Sequence, residues 1–203
     1  MEPNIIEQQQ IKESAYKLFR EKGYGGVCLN DIEIDSGVKE FLIMDYFKNK
    51  ENLFDLIIRE QMNALFDNIG MILNNSETSL SQKVQLLIHC YFSFMKEDEH
   101  FNLFILREIK IKLETNTENN YGDLLKNSVF ALQIKKHLEE FQIDYKVSVI
   151  DLFLDLTSLC VFPLLVSPSI TSNENQDYSI SFERHLEERK ELIFSWFMMI
   201  LMV

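Results

Sequence analysis

Residues 30–54 have the sequence NDIEIDSGVKEFLIMDYFKNKENLF, and this stretch indicates the fold of the N-terminal part of the chain. Its pattern predicts a short helix at about Leu29–Asp35, a tight turn at Ser36-Gly37-Val38 and a second short helix at about Lys39–Asp45. Two short helices joined by a glycine-containing turn form a helix-turn-helix, whose second helix enters the major groove of DNA. The stretch therefore predicts a DNA-binding surface.

The charge of this stretch conflicts with that prediction. Between Val27 and Lys50 the chain has three basic residues and five acidic ones, and the formal net charge of the whole chain is −12. Carboxylates near phosphate oppose the electrostatic attraction that supplies most non-specific affinity for DNA. The charge disfavours a broad binder of nucleic acid or anionic membrane, but it permits a local DNA-binding surface, especially in a dimer.

Composition favours an all-α fold. The chain has 203 residues, is 46% hydrophobic, and contains only six glycines and three prolines, so few residues are available for turns between strands. Apolar residues at helical spacing predict nine helices and no strand, at about residues 5–22, 29–35, 39–45, 50–74, 81–96, 101–114, 121–140, 145–165 and 182–203. The longest predicted loop covers residues 166–181, and the helix before it is expected to stop near Pro163 or Pro168.

Several classes of protein are disfavoured. Cys28, Cys90 and Cys160 are far apart and predict neither a zinc site nor a disulfide framework. No catalytic, phosphate-binding or cofactor-binding motif occurs, so we expect no enzyme activity, no metal and no cofactor. Asp151 and Asp155 share a helix face, which is more typical of capping or solvent exposure than of catalysis. No signal peptide or membrane-spanning run is present, which predicts a soluble, cytoplasmic protein.

The last two predicted helices indicate a homodimer. The penultimate helix is apolar on nearly every side, whereas the last begins with residues 185 and 187–190 facing outward and is almost wholly apolar from Leu192 onward. Such an apolar chain end would form a large exposed patch unless a symmetry mate covered it. A monomer with a deep core is the alternative. The predicted interface consists of Phe153, Leu156, Leu159, Leu192, Phe194, Trp196 and Phe197.

With these patterns in place, the first fifty-odd residues resemble the TetR family of bacterial regulators, over about a quarter of the chain. The spacing of the family's N-terminal signature is matched without a gap. The matching residues are Ile11, Ala15, Leu18-Phe19, Lys22-Gly23-Tyr24, Ile32, Gly37-Val38, Tyr46-Phe47, Lys48, Lys50-Glu51 and Leu53-Phe54.

This resemblance implies a DNA-binding head over residues 1–49 and a ligand-binding and dimerisation body over residues 50–203. It implies a repressor that a small apolar or aromatic effector releases from a palindromic, double-stranded DNA operator. It also implies that the two closing helices form the four-helix interface of a homodimer.

The chain departs from the family pattern where DNA would be contacted. Cys28 stands where the family has Thr or Ser, and Asn30 is expected to cap the second helix instead. A carboxylate at Glu40 could accept from cytosine N4, and Phe41 or Leu42 could contact a thymine methyl group. The head is therefore either an unusual DNA reader or a scaffold that has lost DNA binding. The candidate DNA-binding residues are Asn30, Lys39, Glu40, Phe41, Leu42 and Met44, with Tyr46, Lys48 and Lys50 as phosphate contacts.

Aromatic residues of the body predict an apolar effector pocket between helices. For any single residue, ordinary core packing is the alternative. The candidate pocket residues are His89, Tyr91, Phe92, Phe104, Phe130 and Phe153.

Overall fold

The structure is a computed structural model that describes residues 4–97, 125–141, 148–171 and 178–201, and all regular secondary structure in these ranges is helical. This confirms the predicted all-α fold class. The predicted helix at residues 101–114 lies outside the described residues. The helices are α1 (Ile5–Lys22), α2 (Leu29–Ser36), α3 (Glu40–Phe47), α4 (Lys50–Asn74), α5 (Leu80–Glu97), α6 (Val129–Glu140), α7 (Val149–Thr171) and α8 (Tyr178–Ile200), with a 3-10 turn at Tyr24–Gly26.

Local signals explain why the predicted bounds of α1 match the observed ones. The Asn4 side chain accepts a hydrogen bond from the Ile6 N–H at 3.1 Å, which satisfies one of the amides left over at the start of the helix. At the other end, Gly23 has φ 69° and donates its N–H to the Phe19 carbonyl. Both signals lie in the sequence next to the helix ends, so no tertiary contact is needed to place them.

The helix predicted at residues 121–140 is corrected, because α6 begins only at Val129. Ser128 is the N-cap, and its hydroxyl oxygen accepts the Ala131 N–H at 3.1 Å. The same hydroxyl donates to the Leu125 carbonyl oxygen at 2.7 Å. A serine that satisfies groups on both sides ends one helical turn and starts the next helix, which apolar periodicity alone does not reveal.

The predicted boundaries of the last loop are also corrected. The helix α7 continues past Pro163 and Pro168 to Thr171, and α8 begins at Tyr178, ahead of the predicted Phe182. Each proline removes one amide donor and crowds the preceding turn. The helix α7 as a whole packs against both α5 and α8, and such packing stabilises a helix that contains prolines.

The described residues group into two compact units, residues 4–64 and the described residues from 65 onward. In the first unit, Phe19 and Phe54 meet edge to face with ring centroids 5.0 Å apart, within a core that includes Ile11, Ile32 and Leu53. In the second unit, α5, α7 and α8 pack together around a core of aliphatic and aromatic side chains, namely Val84, Leu87, Ile88, Leu152, Leu156, Ile193 and Phe197. None of the described helices combines the length and apolar character needed to cross a membrane.

Candidate nucleic-acid interface

The turn between α2 and α3 depends on Gly37. This residue has φ 73° and ψ 4°, the left-handed conformation, and its N–H donates to the Glu33 carbonyl at 2.9 Å. A Cβ atom at Gly37 would meet nothing within 4 Å, so it is the backbone conformation, and not crowding, that favours glycine here. The turn brings two short helices together as the sequence predicts.

Glu33 fixes the start of α3. One oxygen of its carboxylate accepts from the Lys39 ammonium at 2.8 Å, and the other accepts the Glu40 backbone N–H at 2.7 Å. The hydrogen bond from Lys39 and then that from the Glu40 amide lower the pKa of Glu33. This carboxylate on α2 therefore caps α3, the second helix of the helix-turn-helix.

Two further acidic residues of the stretch are also used within the head. Asp35 accepts from the Ser14 hydroxyl at 2.8 Å and the Lys17 ammonium at 2.7 Å, which ties α2 to α1. Asp31 accepts from the Cys28 backbone N–H at 2.8 Å and from its thiol at 3.0 Å. The expectation that Asn30 caps α2 is therefore wrong, because Cys28 is the N-cap and the Asp31 carboxylate satisfies its amide.

Two of the three predicted phosphate contacts are engaged elsewhere. The Lys50 ammonium donates to the carbonyl oxygens of Tyr24 at 2.9 Å and Val27 at 2.8 Å, and it lies 4.1 Å from the Tyr24 ring centroid. The Tyr46 hydroxyl donates to a Glu7 carboxylate oxygen at 2.6 Å, an interaction that raises the pKa of Tyr46. Both residues brace the head, so the structure gives them a role that the sequence did not predict.

Lys48 is the predicted phosphate contact that remains on the surface. It is exposed, and its ammonium donates to the neighbouring Asp45 carbonyl oxygen at 3.3 Å. It follows α3 with φ 72°, the one positive φ at a non-glycine residue in the described ranges. Among the other predicted contacts, Asn30 and Lys39 are exposed, while Glu40 and Leu42 are half-buried.

The exposed face of α3 is apolar. Phe41 is 67% exposed and Met44 is 47% exposed, and their spacing of three residues places both on one face of the helix. Ile43 and Phe47 point inward and anchor the helix in the head. Phe41 and Met44 therefore offer a partner of this face an aromatic ring and a thioether.

The predicted pocket residues of the body differ in how deeply they are buried. Tyr91, Phe92 and Phe130 are buried, Phe153 is half-buried, and His89 is exposed, while Phe104 lies outside the described residues. The Thr157 hydroxyl donates to the Phe153 carbonyl oxygen at 2.8 Å, so Tyr91 is the donor in its 2.9 Å contact with Thr157. The sequence did not predict this polar pair.

The predicted dimer interface divides in two. Leu192 and Trp196 are exposed on α8, and Phe153, Leu159 and Phe194 are half-buried. Leu156 and Phe197 are fully buried within the protomer and offer no surface to a partner, so their assignment to the interface is wrong. Sequence periodicity identifies both helices as apolar, but it does not tell which apolar side chain faces the chain's own core.

Comparison with known proteins agrees with this geometry. Residues 11–57 match the model of the family described as bacterial regulatory proteins, tetR family, a range that contains α2, the turn and α3. IcaR of Staphylococcus aureus, the HTH-type negative transcriptional regulator of the biofilm operon icaADBC, is 26% identical over 137 residues, which are 67% of this chain and 72% of that protein. The fatty acid metabolism regulator protein of Bacillus subtilis is 28% identical over 109 residues, 54% of each chain.

Solved structures show the same fold. A transcriptional regulator of the TetR/AcrR family from Thermobifida fusca has a TM-score of 0.64 at 18% identity, with 92% of this chain and 96% of that chain covered. FadR from Bacillus subtilis, solved in complex with stearoyl-CoA, has a TM-score of 0.56 at 18% identity and covers 92% and 97%. Residues 11–57 therefore carry the helix-turn-helix domain described for the tetR family, and the relatives and solved structures that the chain resembles are transcriptional regulators.

Proposed function

We propose that the protein is a homodimeric repressor whose head, residues 1–49, binds operator DNA and whose body, residues 50–203, dimerises and binds a small effector that releases the operator. The observation that carries this proposal is the α3 helix, which is capped by Glu33, set by the Gly37 turn and exposed along the face of Phe41 and Met44. A rigid, exposed second helix is what major-groove binding requires.

The acidic residues of the head oppose DNA binding less than their number implies, because several are used within the head. Glu33 and Asp35 are each paired with a lysine, and Asp31 lies at the positive end of the α2 dipole. Glu40 and Asp45 are left as the carboxylates of the stretch nearest the exposed face. The electrostatic contribution of the head to DNA affinity would therefore be small, and most of the specificity would come from apolar contacts in the major groove.

A dimer is supported by the apolar residues that α7 and α8 leave exposed on the single chain. These residues would cover one another across a two-fold axis, and a two-fold protein matches a palindromic operator. They are Leu154, Phe162, Leu192, Trp196, Met199 and Ile200.

Relatives support the repressor and effector parts of the proposal. IcaR is a negative transcriptional regulator, and FadR was solved with stearoyl-CoA bound. An effector with higher affinity for the conformation that does not bind DNA would shift the population away from the operator-bound state. A regulator of this kind would act in the cytoplasm, where the DNA is.

The alternative function is a small-molecule-binding or interaction protein of the same fold without operator binding. The internal use of Lys50 and Tyr46 favours it, because both were candidates for phosphate contacts. Fluorescence anisotropy with the DNA upstream of its own gene, at about 50 mM salt, distinguishes the two functions. Sequence-specific binding supports the regulator, and an absence of binding at this low salt leaves the alternative.

A further inference from the structure

Arg189 lies on the inward-facing side of α8. The buried residues Leu186, Ile193 and Phe197 form one stripe of this helix, and Arg189 follows Leu186 by three residues on the same stripe. The prediction that Arg189 and Lys190 face outward is wrong, since both are half-buried. The run of charged residues in the sequence predicts an exposed face, although one of its cations faces the core of the body.

The Nε atom of Arg189 differs from the neighbouring cations of α8 in its hydrogen-bond partners. Arg184 pairs with Glu188 at 2.9 Å, and Lys190 pairs with Glu187 at 2.8 Å. The Nε atom of Arg189 is enclosed, and it has no hydrogen-bond partner among the described residues. A buried guanidinium donor without an acceptor is uncommon, because arginine is charged at all physiological pH values.

Two buried titratable groups of the body do not supply a negative charge to Arg189. Burial raises the pKa of the Cys160 thiol to about 12, although the positive charge of Arg189 opposes that shift. Burial also raises the pKa of Tyr91, whose hydroxyl donates its hydrogen bond to Thr157. Both groups are neutral near pH 7, so neither compensates the cation.

Buried apolar residues of α5 and α7 lie next to this part of α8. Phe92 is buried on α5, and the ammonium of Lys190, the residue after Arg189, lies 5.5 Å from its ring centroid. Cys160 is fully buried on α7. The Lys190 ammonium is already paired with Glu187, whereas the Arg189 Nε atom has no acceptor among the described residues. A cationic donor of this kind, near buried Cys160 of α7, fits a molecule that has one anionic group and an apolar body.

We propose that Arg189 binds the anionic group of the effector, and that the effector is an amphipathic oxyanion, a carboxylate or phosphate carried on an apolar chain. This inference rests on the proposed function for the existence of an effector. The guanidinium would donate two parallel hydrogen bonds to the oxyanion, which neutral compounds of the same length cannot accept with comparable strength.

The test uses the full chain without DNA and three probes of equal chain length, namely decanoate, decyl phosphate and decanol. Dissociation constants come from isothermal titration calorimetry below the micelle concentration, and thermal midpoints from scanning fluorimetry. We expect one or both anions to bind at least about tenfold more tightly than decanol, as a charge-assisted hydrogen bond contributes. The relative affinity of the two anions identifies the preferred headgroup.

Arg189→Met removes the charge and keeps most of the side-chain length, and Arg184→Met is the matched control on an exposed turn of α8. Arg189→Met should abolish the preference for anions and raise the thermal midpoint of the ligand-free protein, because a buried cationic donor without an acceptor is removed. Arg184→Met should leave both unchanged.

Three outcomes would overturn the inference: no binding by either anion, equal affinity for decanol and the anions, or an Arg189→Met protein that keeps the anion preference. A lower thermal midpoint of ligand-free Arg189→Met would assign the residue a structural role and also count against it. If the anions bind through Arg189 but leave operator binding unchanged, the repressor-release mechanism fails while this site stands.

Discussion

The Glu33 carboxylate lies 2.8 Å from the Lys39 ammonium and accepts the N–H of the next residue, Glu40, through its other oxygen. One acidic residue of α2 therefore neutralises the first basic residue of the recognition region and caps α3. The negative charge at this position serves the orientation of the helix. Stability of the head and the DNA binding proposed for it therefore depend on different side chains, which substitutions can separate.

Gly37→Ala should destabilise the head by about 1–2 kcal/mol, because alanine disfavours the left-handed conformation at φ 73°. A new Cβ would meet no atom within 4 Å, so the cost comes from the backbone alone. Gly70→Ala is the control, since Gly70 lies within α4 with equally open space, and it should stabilise the protein by about 0.5–1 kcal/mol. Urea unfolding monitored by circular dichroism measures both, and equal effects would contradict the backbone argument.

Lys50→Ala and Lys48→Ala should distinguish a lysine that stabilises the head from a lysine that contacts DNA phosphate. Lys50 donates to two carbonyl oxygens, so its removal should lower the thermal midpoint of the head and weaken DNA binding only through stability. Lys48→Ala should leave the thermal midpoint unchanged and reduce the slope of log affinity against log salt by about 0.9 for each phosphate that is no longer neutralised. A reduced salt slope in Lys50→Ala, with an unchanged midpoint, would instead place Lys50 on the DNA.

Phe41 should select thymine through its methyl group. Replacing thymine by uracil at the operator position that Phe41 touches removes only that methyl, and the affinity should fall about fourfold per position, which corresponds to about 0.8 kcal/mol of apolar burial. In Phe41→Ala the thymine and uracil operators should bind equally, as measured by anisotropy at fixed salt. If the wild-type protein does not distinguish the two operators, the apolar face of α3 does not read the methyl group.

Trp196→Glu should prevent the proposed dimerisation. Trp196 is 38% exposed on α8 in the single chain, so a glutamate there could reach solvent in a monomer and would be costly where a second copy covers it. Leu132→Glu places the same charge on an exposed apolar residue of α6 and should leave the mass unchanged. Light scattering after size exclusion measures both masses. If the Trp196→Glu protein is still a dimer, α8 does not form the interface.

Acid should loosen the head. Hydrogen bonds from lysine lower the pKa of Glu33 and Asp35 in the folded protein. A carboxylate with a lowered pKa contributes stability that is fully present above its unfolded pKa, near 4, and is lost as the pH falls through the folded value. After correction for the intrinsic exchange rate, amide exchange across residues 29–47 should therefore accelerate in the wild type as the pH falls from about 5 to about 3. Glu33→Gln should show a smaller change, and an equal change would mean that this pair does not contribute.

The sequence by itself determined the helices of the head and the fold class. The bounds of α1 and α4 follow from residues beside the helix ends, and the α2–α3 turn follows from Gly37, whose left-handed conformation is a local property. Periodicity within a helix depends on neighbours three and four residues away, and the sequence displays these directly. The start of α6 at Ser128 was missed because apolar periodicity does not reveal a serine N-cap, and the passage of α7 through its prolines was missed because packing against other helices stabilises it.

Only the tertiary structure decided what the charged residues do. The pairings of Glu33 with the start of α3, of Asp35 with α1 and of Lys50 with the carbonyl groups before α2 join residues six to 26 positions apart. The partner of a flexible charged side chain depends on how helices cross, and hydropathy contains no information about that crossing. For the same reason the sequence placed Arg189 outward, whereas the packing of α8 against α5 and α7 turned it toward the core, where its Nε atom meets no acceptor among the described residues.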